Sequence, residues 1–322
     1  MLVSFFIGAI ALGVVLLYGC LGETLMEKAG HLNLGIPGIM CMGTAGGCLG
    51  ASLYMKGLAD VSDAKWLPLI ALSILFSILF SVATGAIYAF LTVTLRCNQN
   101  ITGLAITTFG AGLSQFIMDP KYVARDRFGA ASILFAKGLV NDRSANGVLR
   151  IFFSHGFFVY FAIVLALVLT FILKRTRLGL HLRSVGESPA TADADGINVT
   201  AYKYGSILVG SAIAGFGGLF YTMDYLKGSW ENASTIESFG WLAIALVIFT
   251  LWKPNLGILG SILFGALSIA AFVVGGSSSQ KELFKLLPYV ITVLVLVITS
   301  IRNKRENQPP ASLGLSYFRE DR

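Results

Sequence analysis

Continuously apolar runs, of which 67–80 and 290–298 are the cleanest, constrain this chain more than any other feature of its sequence. A hydrocarbon core of ~30 Å is crossed by about 20 apolar residues in a helix. Runs approaching that length recur over 2–21, 36–55, 67–95, 101–118, 148–173, 204–226, 238–252, 255–275 and 286–301. A segment in lipid must satisfy its own backbone polar groups, so it is a helix or part of a closed barrel. Barrel strands alternate apolar and polar residues, and these runs do not. The sequence therefore predicts an all-α fold. It is a polytopic integral membrane helical bundle of about eight to ten transmembrane helices, forming a single transmembrane domain over 1–301.

Composition agrees. Only 13% of residues are charged, against roughly 25% in soluble domains. The net charge of +7 suits anionic headgroups, with no patch that reads as a nucleic-acid surface. Cys20, Cys41, Cys48 and Cys97 lie in or beside apolar runs without metal-ligand spacing, so no metal site is expected. "LLYGC", ending at Cys20, faintly resembles a lipoprotein cleavage site. No Lys or Arg precedes Lys28, so 1–21 reads as a retained first span. The tail 302–322 is charged, carries Pro309 and Pro310, and is expected to lack structure.

Lysine and arginine bias sets the orientation. "KRTR" opens the polar segment 174–203 and "RNKRE" opens the tail. Both follow spans closely, where the positive-inside rule is strongest, so both are expected in the cytoplasm and the amino terminus outside. The loop 119–147 opposes this, because Lys121, Arg125, Arg127, Lys137 and Arg143 would then face outward.

The segment 174–203 carries Lys174, Arg175, Arg177, Arg183, Glu187, Asp193, Asp195 and Lys203. Each charge at bilayer depth costs about 2.5–3.5 kcal/mol, so this segment lies outside the membrane. Ser188 can cap a helix, Pro189 suits its first position, and Gly196 can end it. The small side chains of Ala190, Ala192 and Ala194 would let so short a helix enter a groove on another protein. A solvated connecting loop is the other reading.

"VGESPATADADGINV" (185–199) resembles the cytoplasmic coupling segment of ATP-binding-cassette importer permeases of the branched-chain amino acid, ribose and nucleoside group. Arg183, Val185, Gly186, Pro189, Ala192, Gly196 and Ile197 are in register, and Ser188 stands where Asn is usual. "EKAGHLNLGIPGIMCMGTAGG" (27–47) is similar to the group's amino-terminal signature at Glu27, Gly30, Asn33, Gly35, Gly38 and Met40. "NQNITGLAITTFGAGL" (98–113) and "AYKYGSILVGSAIAGFGGLFY" (201–221) resemble the nucleoside branch more than the amino acid branch.

The resemblance implies a coupling helix formed from Arg183, Gly186, Glu187, Ser188, Pro189, Ala192 and Gly196, seated in a cleft of a cytoplasmic ATPase. It further implies a second permease subunit, an extracytoplasmic substrate-binding lipoprotein, and residence in a bacterial inner membrane. The chain itself has no P-loop, since none of its lysines precedes Ser or Thr. No cofactor of its own is expected, and ATP would be bound by the partner.

For a solute route, Asn100, Gly103, Thr107, Gly110 and Ser114 recur at helical spacing, with Thr108 and Gln115 beside them. They read either as a polar path or as a packing seam of small residues. Asn33, with Pro37 following, reads as the cap of a second span that either begins there or is broken. Tyr221, Tyr225, Trp230, Phe239 and Trp241 could stack a purine at the outer entrance or form an interfacial belt. No predicted span holds a charged residue at its centre, which suits a neutral solute: a nucleoside, with branched-chain amino acids or a sugar such as ribose as alternatives. An intramembrane enzyme is a remote reading, because His31, His155 and His181 have no catalytic or metal-ligand spacing.

Overall fold

The computed structural model describes residues 2–138, 146–273, 283, 286–302 and 308–318, and the described residues are helices joined by short turns. In chain order the helices are α1 (Leu2–Lys28), α2 (Ile36–Lys56), α3 (Trp66–Ala89), α4 (Gln99–Ile117), α5 (Phe128–Phe135), α6 (Gly147–Phe153) and α7 (Phe157–Arg175). They continue with α8 (Arg177–Glu187), α9 (Pro189–Ala194), α10 (Val199–Phe220), α11 (Ala233–Phe249), α12 (Pro254–Val273) and α13 (Leu287–Arg302). Among the described residues, five stretches are long and apolar enough to cross a membrane: Leu2–Lys28, Ile36–Lys56, Trp66–Thr94, Phe157–Arg175 and Val199–Tyr225. Shorter apolar helices stand at the last three expected spans, and α4 at the fourth. The polar loop expected over 276–282, and tail residues 303–307 and 319–322, lie outside the described residues.

Two expected boundaries move. The run 148–173 is divided, because Gly156 adopts extended backbone (φ −70°, ψ 170°) between α6 and α7. A Cβ there would lie 2.3 Å from Asp224 Oδ2. The break is stapled by the Tyr160 hydroxyl donating to Phe152 O at 3.0 Å. Helix α1 continues past the first apolar run through Glu23 and Glu27, which are 0% and 1% exposed. These carboxylates sit inside the bundle and not in a loop as the sequence suggested.

The centre of the bundle is α2 and α10, whose apolar windows are 89% and 83% buried, against 33% for α3 and α7. Without a hydrophobic driving force between helices in lipid, close approach depends on small residues. A Cβ on Gly43 would fall 2.3 Å from Gly215 Cα, where α2 meets α10. A Cβ on Gly22 would fall 2.4 Å from Gly210 O, where α1 meets α10. Both α3 and α10 end in a single wide turn, Phe90–Thr94 and Tyr221–Tyr225. Each is followed by a residue in the left-handed region, Arg96 (φ 56°) and Lys227 (φ 52°).

The basic residues of the loop after α4 have a structural use. Arg125 donates to Met118 O at the end of α4, and Arg127 donates to Met55 O and Leu58 O at the end of α2. They satisfy carbonyls that a helix terminus leaves bare.

Gly43→Leu should abolish the recovery of folded protein or lower its melting temperature in detergent by several degrees, since overpacking costs about 1–3 kcal/mol even where side chains can shift. Gly112→Leu, where an added Cβ meets nothing within 4 Å, should melt like the parent.

Candidate functional site

The charged segment after α7 folds as a helix–turn–helix. Thr176 opens α8, its hydroxyl accepting from Gly179 N at 3.2 Å. The sequence reading missed α8, although the Thr cap and the inward-facing pair Leu182 and Val185 are its signals. Ser188 then caps α9 by accepting from Thr191 N at 3.4 Å, Pro189 occupies the first position, and Gly196 leaves the helix at φ +82°. The expected short helix is present with the expected caps.

The residues expected to dock do not share one face. Gly186 is buried against α1, where a Cβ would lie 2.2 Å from Lys28 O. Ala192 is 0% exposed and packs with Val185 and Val199, so its small size serves the chain's own core. Arg183 and Glu187 are exposed, as are Ala190, Thr191, Ala194, Asp195 and Gly196. The face that α9 offers outward is therefore Ala190, Thr191, Ala194 and Asp195. Gly186 and Ala192 fix the helix from behind.

The helix pair stands on a buried, non-helical linker between α1 and α2. Glu23 Oε1 accepts from Asn33 N at 2.9 Å, and Gln99 Oε1 accepts from Leu32 N at 2.9 Å. Leu32 O accepts from the Tyr88 hydroxyl at 2.9 Å, and Leu34 O accepts from the Thr107 hydroxyl at 2.7 Å. Glu27 accepts from the Trp252 indole. Asn33 is not the cap of α2: its Oδ1 accepts from Gly35 N at 2.8 Å within the linker, and α2 begins unbroken at Ile36 with Pro37 in its first turn. The linker also holds His31, 1% exposed, whose ring nitrogens have no hydrogen-bond partner among the described residues. Burial, with Lys203 nearby, holds its pKa well below the usual value.

The tail closes over the same place. Gly30 O accepts from Gly314 N at 3.2 Å, and Gly186 O accepts from Ser312 N at 3.1 Å. Asp193 Oδ2 accepts from the Tyr317 hydroxyl at 2.9 Å, and Arg96 lies 4.7 Å from the centre of the Phe318 ring. The expectation of an unstructured tail does not hold for 308–318. Its charge and prolines predict disorder, but Ser312 and Tyr317 find partners in α8 and α9 that composition does not reveal.

Helix α4 resolves the polar series into two faces. Gly103, Thr107, Gly110 and Ser114 are buried, and a Cβ on Gly110 would lie 2.5 Å from Gly38 O. These residues form a seam against the start of α2. Asn100, Thr108 and Gln115 are exposed. With 3.6 residues per turn, they share an arc of about 80° with Leu104 and Ala111. The neighbouring exposed stripe, Ile101, Phe109 and Phe116, is apolar.

At the opposite end, Tyr221 stacks on Tyr225 with centroids 5.5 Å apart and meets Phe239 edge-on at 4.9 Å. The buried Trp230 Nε1 has no partner among the described residues. Gln115 Oε1 accepts from Ala233 N at 3.1 Å, tying α4 to this end.

Residues 5–296 match the family described as the branched-chain amino acid transport system permease component. The chain is 32% identical to the nucleoside ABC transporter permease protein NupC of Lactococcus lactis, covering 88% of each. It is 31% identical to the guanosine ABC transporter permease protein NupQ of Bacillus subtilis, covering 87% of each. It is also 30% identical to a putative glucose ABC transporter permease protein of Haloferax volcanii, covering 95% of this chain and 94% of that one.

His31 must stay neutral in the fold, yet in the unfolded chain it takes up a proton near pH 6.5. Its contribution is therefore intact above about pH 6.5 and is lost as pH falls below that value, by up to about 1.4 kcal/mol per pH unit. Melting temperatures recorded from pH 7.5 to 5.5 should fall more steeply for the parent than for His31→Leu.

Proposed function

Because the chain belongs to the branched-chain amino acid transport system permease family, we propose that it is the membrane-spanning subunit of an ATP-driven importer for nucleosides in a bacterial inner membrane. The observation that carries the substrate is similarity over nearly the whole chain to relatives named for nucleoside and guanosine transport. The α4 surface supports a neutral, hydrogen-bonding solute: Asn100, Thr108 and Gln115 offer amides and a hydroxyl, and no residue of Gln99–Ile117 is charged. Thr107 and Ser114 lie behind this path, where the Thr107 hydroxyl ties α4 to Leu34 O, and Asn33 bonds to Glu23, Met26 and Gly35 within α1 and the linker, so none of the three would touch solute. The buried Glu23 and Glu27 remove the argument that the spans are free of charge. Their oxygens accept from Asn33 N and the Trp252 indole, at the end of the bundle away from Gln115.

The chain supplies no P-loop, so ATP would be hydrolysed by a separate cytoplasmic ATPase carrying the nucleotide. Helix α9 would enter its cleft with Ala190, Thr191, Ala194 and Asp195, and Arg183 and Glu187 would flank the contact. The polar stripe of α4 would be one wall of the path, with a second, related permease subunit as the other. The aromatic cluster of Tyr221, Tyr225 and Phe239 would receive the base from an extracytoplasmic binding lipoprotein, which Glu231 and Glu237 would contact.

A sugar is the second reading, favoured by the relative named for glucose, and the same stripe would hydrogen-bond its hydroxyls.

Uptake of radiolabelled guanosine should fall to background in cells lacking this chain and any redundant system. It should return with the parent gene and reach at most about a tenth of the parent rate with Thr108→Leu, because an unpaired polar group costs about 1–3 kcal/mol. Excess unlabelled adenosine should compete and excess glucose should not. Uptake unaffected by loss of the chain, or competed by glucose alone, would overturn the nucleoside assignment.

A further inference from the structure

At the end of the bundle that carries α9, a cavity of about 440 Å³ opens between the wide turn after α3, the start of α10 and the tail. Its walls include Thr92, Arg96, Asn198, Thr200, Lys203 and Tyr317. Lys203 is the unusual member. It is 3% exposed, lines the cavity, and has no hydrogen-bond or ion-pair partner among the described residues. A buried ammonium without a counter-charge is costly, and such a group is retained most readily where an anion meets it.

Three further features favour negative charge in the same space. Arg96 brings a second cation, held by its left-handed backbone (φ 56°) at the cavity wall. The amino terminus of α10, a helix of 22 residues, supplies the positive end of its dipole, with Ala201 N already capped by Asn198 Oδ1 at 2.9 Å. Asn198 and Thr200 add side-chain donors beside it. Asp193 also borders the cavity, and its Oδ2 already accepts from the Tyr317 hydroxyl at 2.9 Å. Basic pockets between spans suit phosphate-bearing groups, and Lys203 is the cation here whose charge has no partner among the described residues.

We propose that this cavity binds a phosphate-bearing anion, with Lys203 as its principal contact and Arg96, Thr200 and the first turn of α10 around it. The phosphate belongs either to the headgroup of an anionic phospholipid or to a small soluble compound. Tyr317 covers the cavity from the tail, and Asp193 and Gly196 border it from the end of α9. An occupant therefore joins the tail, α3 and the base of α9, and its binding stiffens the mounting of that helix.

The test compares the purified full chain with Lys203→Met, which keeps the length of the side chain and removes its charge. In the first arm, inorganic phosphate is titrated in detergent at constant ionic strength, with thermal unfolding as the readout. In the second, phosphatidylglycerol is titrated into nanodiscs of phosphatidylcholine, with the same readout and native mass spectrometry of retained lipid. Saturable stabilisation of the parent, weakened at least about tenfold in Lys203→Met, is expected in one arm. A response in the first arm assigns a soluble phosphate, and one confined to the second assigns a headgroup. Thr200→Ala, at an exposed position, should weaken the same response without altering the melting temperature measured without ligand. Equal titrations for parent and Lys203→Met, or no saturable response in either arm, would overturn the proposal.

Discussion

A buried stretch of chain without helical hydrogen bonds must find a partner for each polar backbone group, and the linker 30–35 imposes that requirement on the whole end of the bundle that carries α9. Its groups are met by side chains from α1, α3 and α4, through Glu23, Tyr88, Gln99 and Thr107, and by the backbone of the tail at Gly314. Non-helical backbone away from water is tolerated only where protein supplies such partners. The linker therefore draws α1, α2, α3 and α4 together, and α8 is seated beside it, with Gly186 against Lys28 at the end of α1 and Gly30 in the linker.

That arrangement gives the exposed face of α9 a rigid mounting. Ala192, Val185 and Val199 pack behind it, and the tail pins its neighbours through Ser312 and Tyr317. A force applied to α9 would thus be carried into α1, and from α1 across the glycine contact at Gly22 and Gly210 into α10. Packing of this kind has discrete arrangements and does not deform continuously, which is what transmission of a movement across a bilayer requires.

Much of this was legible in the sequence. Apolar runs located the helices, because in lipid each helix must be apolar along its length. Ser188, Pro189 and Gly196 marked α9, because caps are local chemistry. What could not be read depended on contacts distant in the chain. Glu23 and Glu27 lie beyond the first apolar run, and only their distant partners, Asn33 N and the Trp252 indole, place them inside the bundle. Ala192 has the small side chain of a docking face, but it packs against Val185 and Val199. Thr107 and Thr108 are adjacent, yet one joins a seam and the other an open stripe, a distinction set by where α2 lies. The tail failed as a prediction for the same reason, since its order rests on Gly30, Gly186 and Asp193 and not on its own composition.

The central claim is that α9 is the point at which an ATPase grips this chain. A photo-activated crosslinking residue at Thr191, exposed on α9, tests it most directly when installed in cells that are importing guanosine. The expected result is a single covalent adduct between this chain and a nucleotide-binding subunit, lost when the residue is moved to the buried Ala192. Guanosine uptake at the parent rate, with Thr191 crosslinked to no protein, would contradict it.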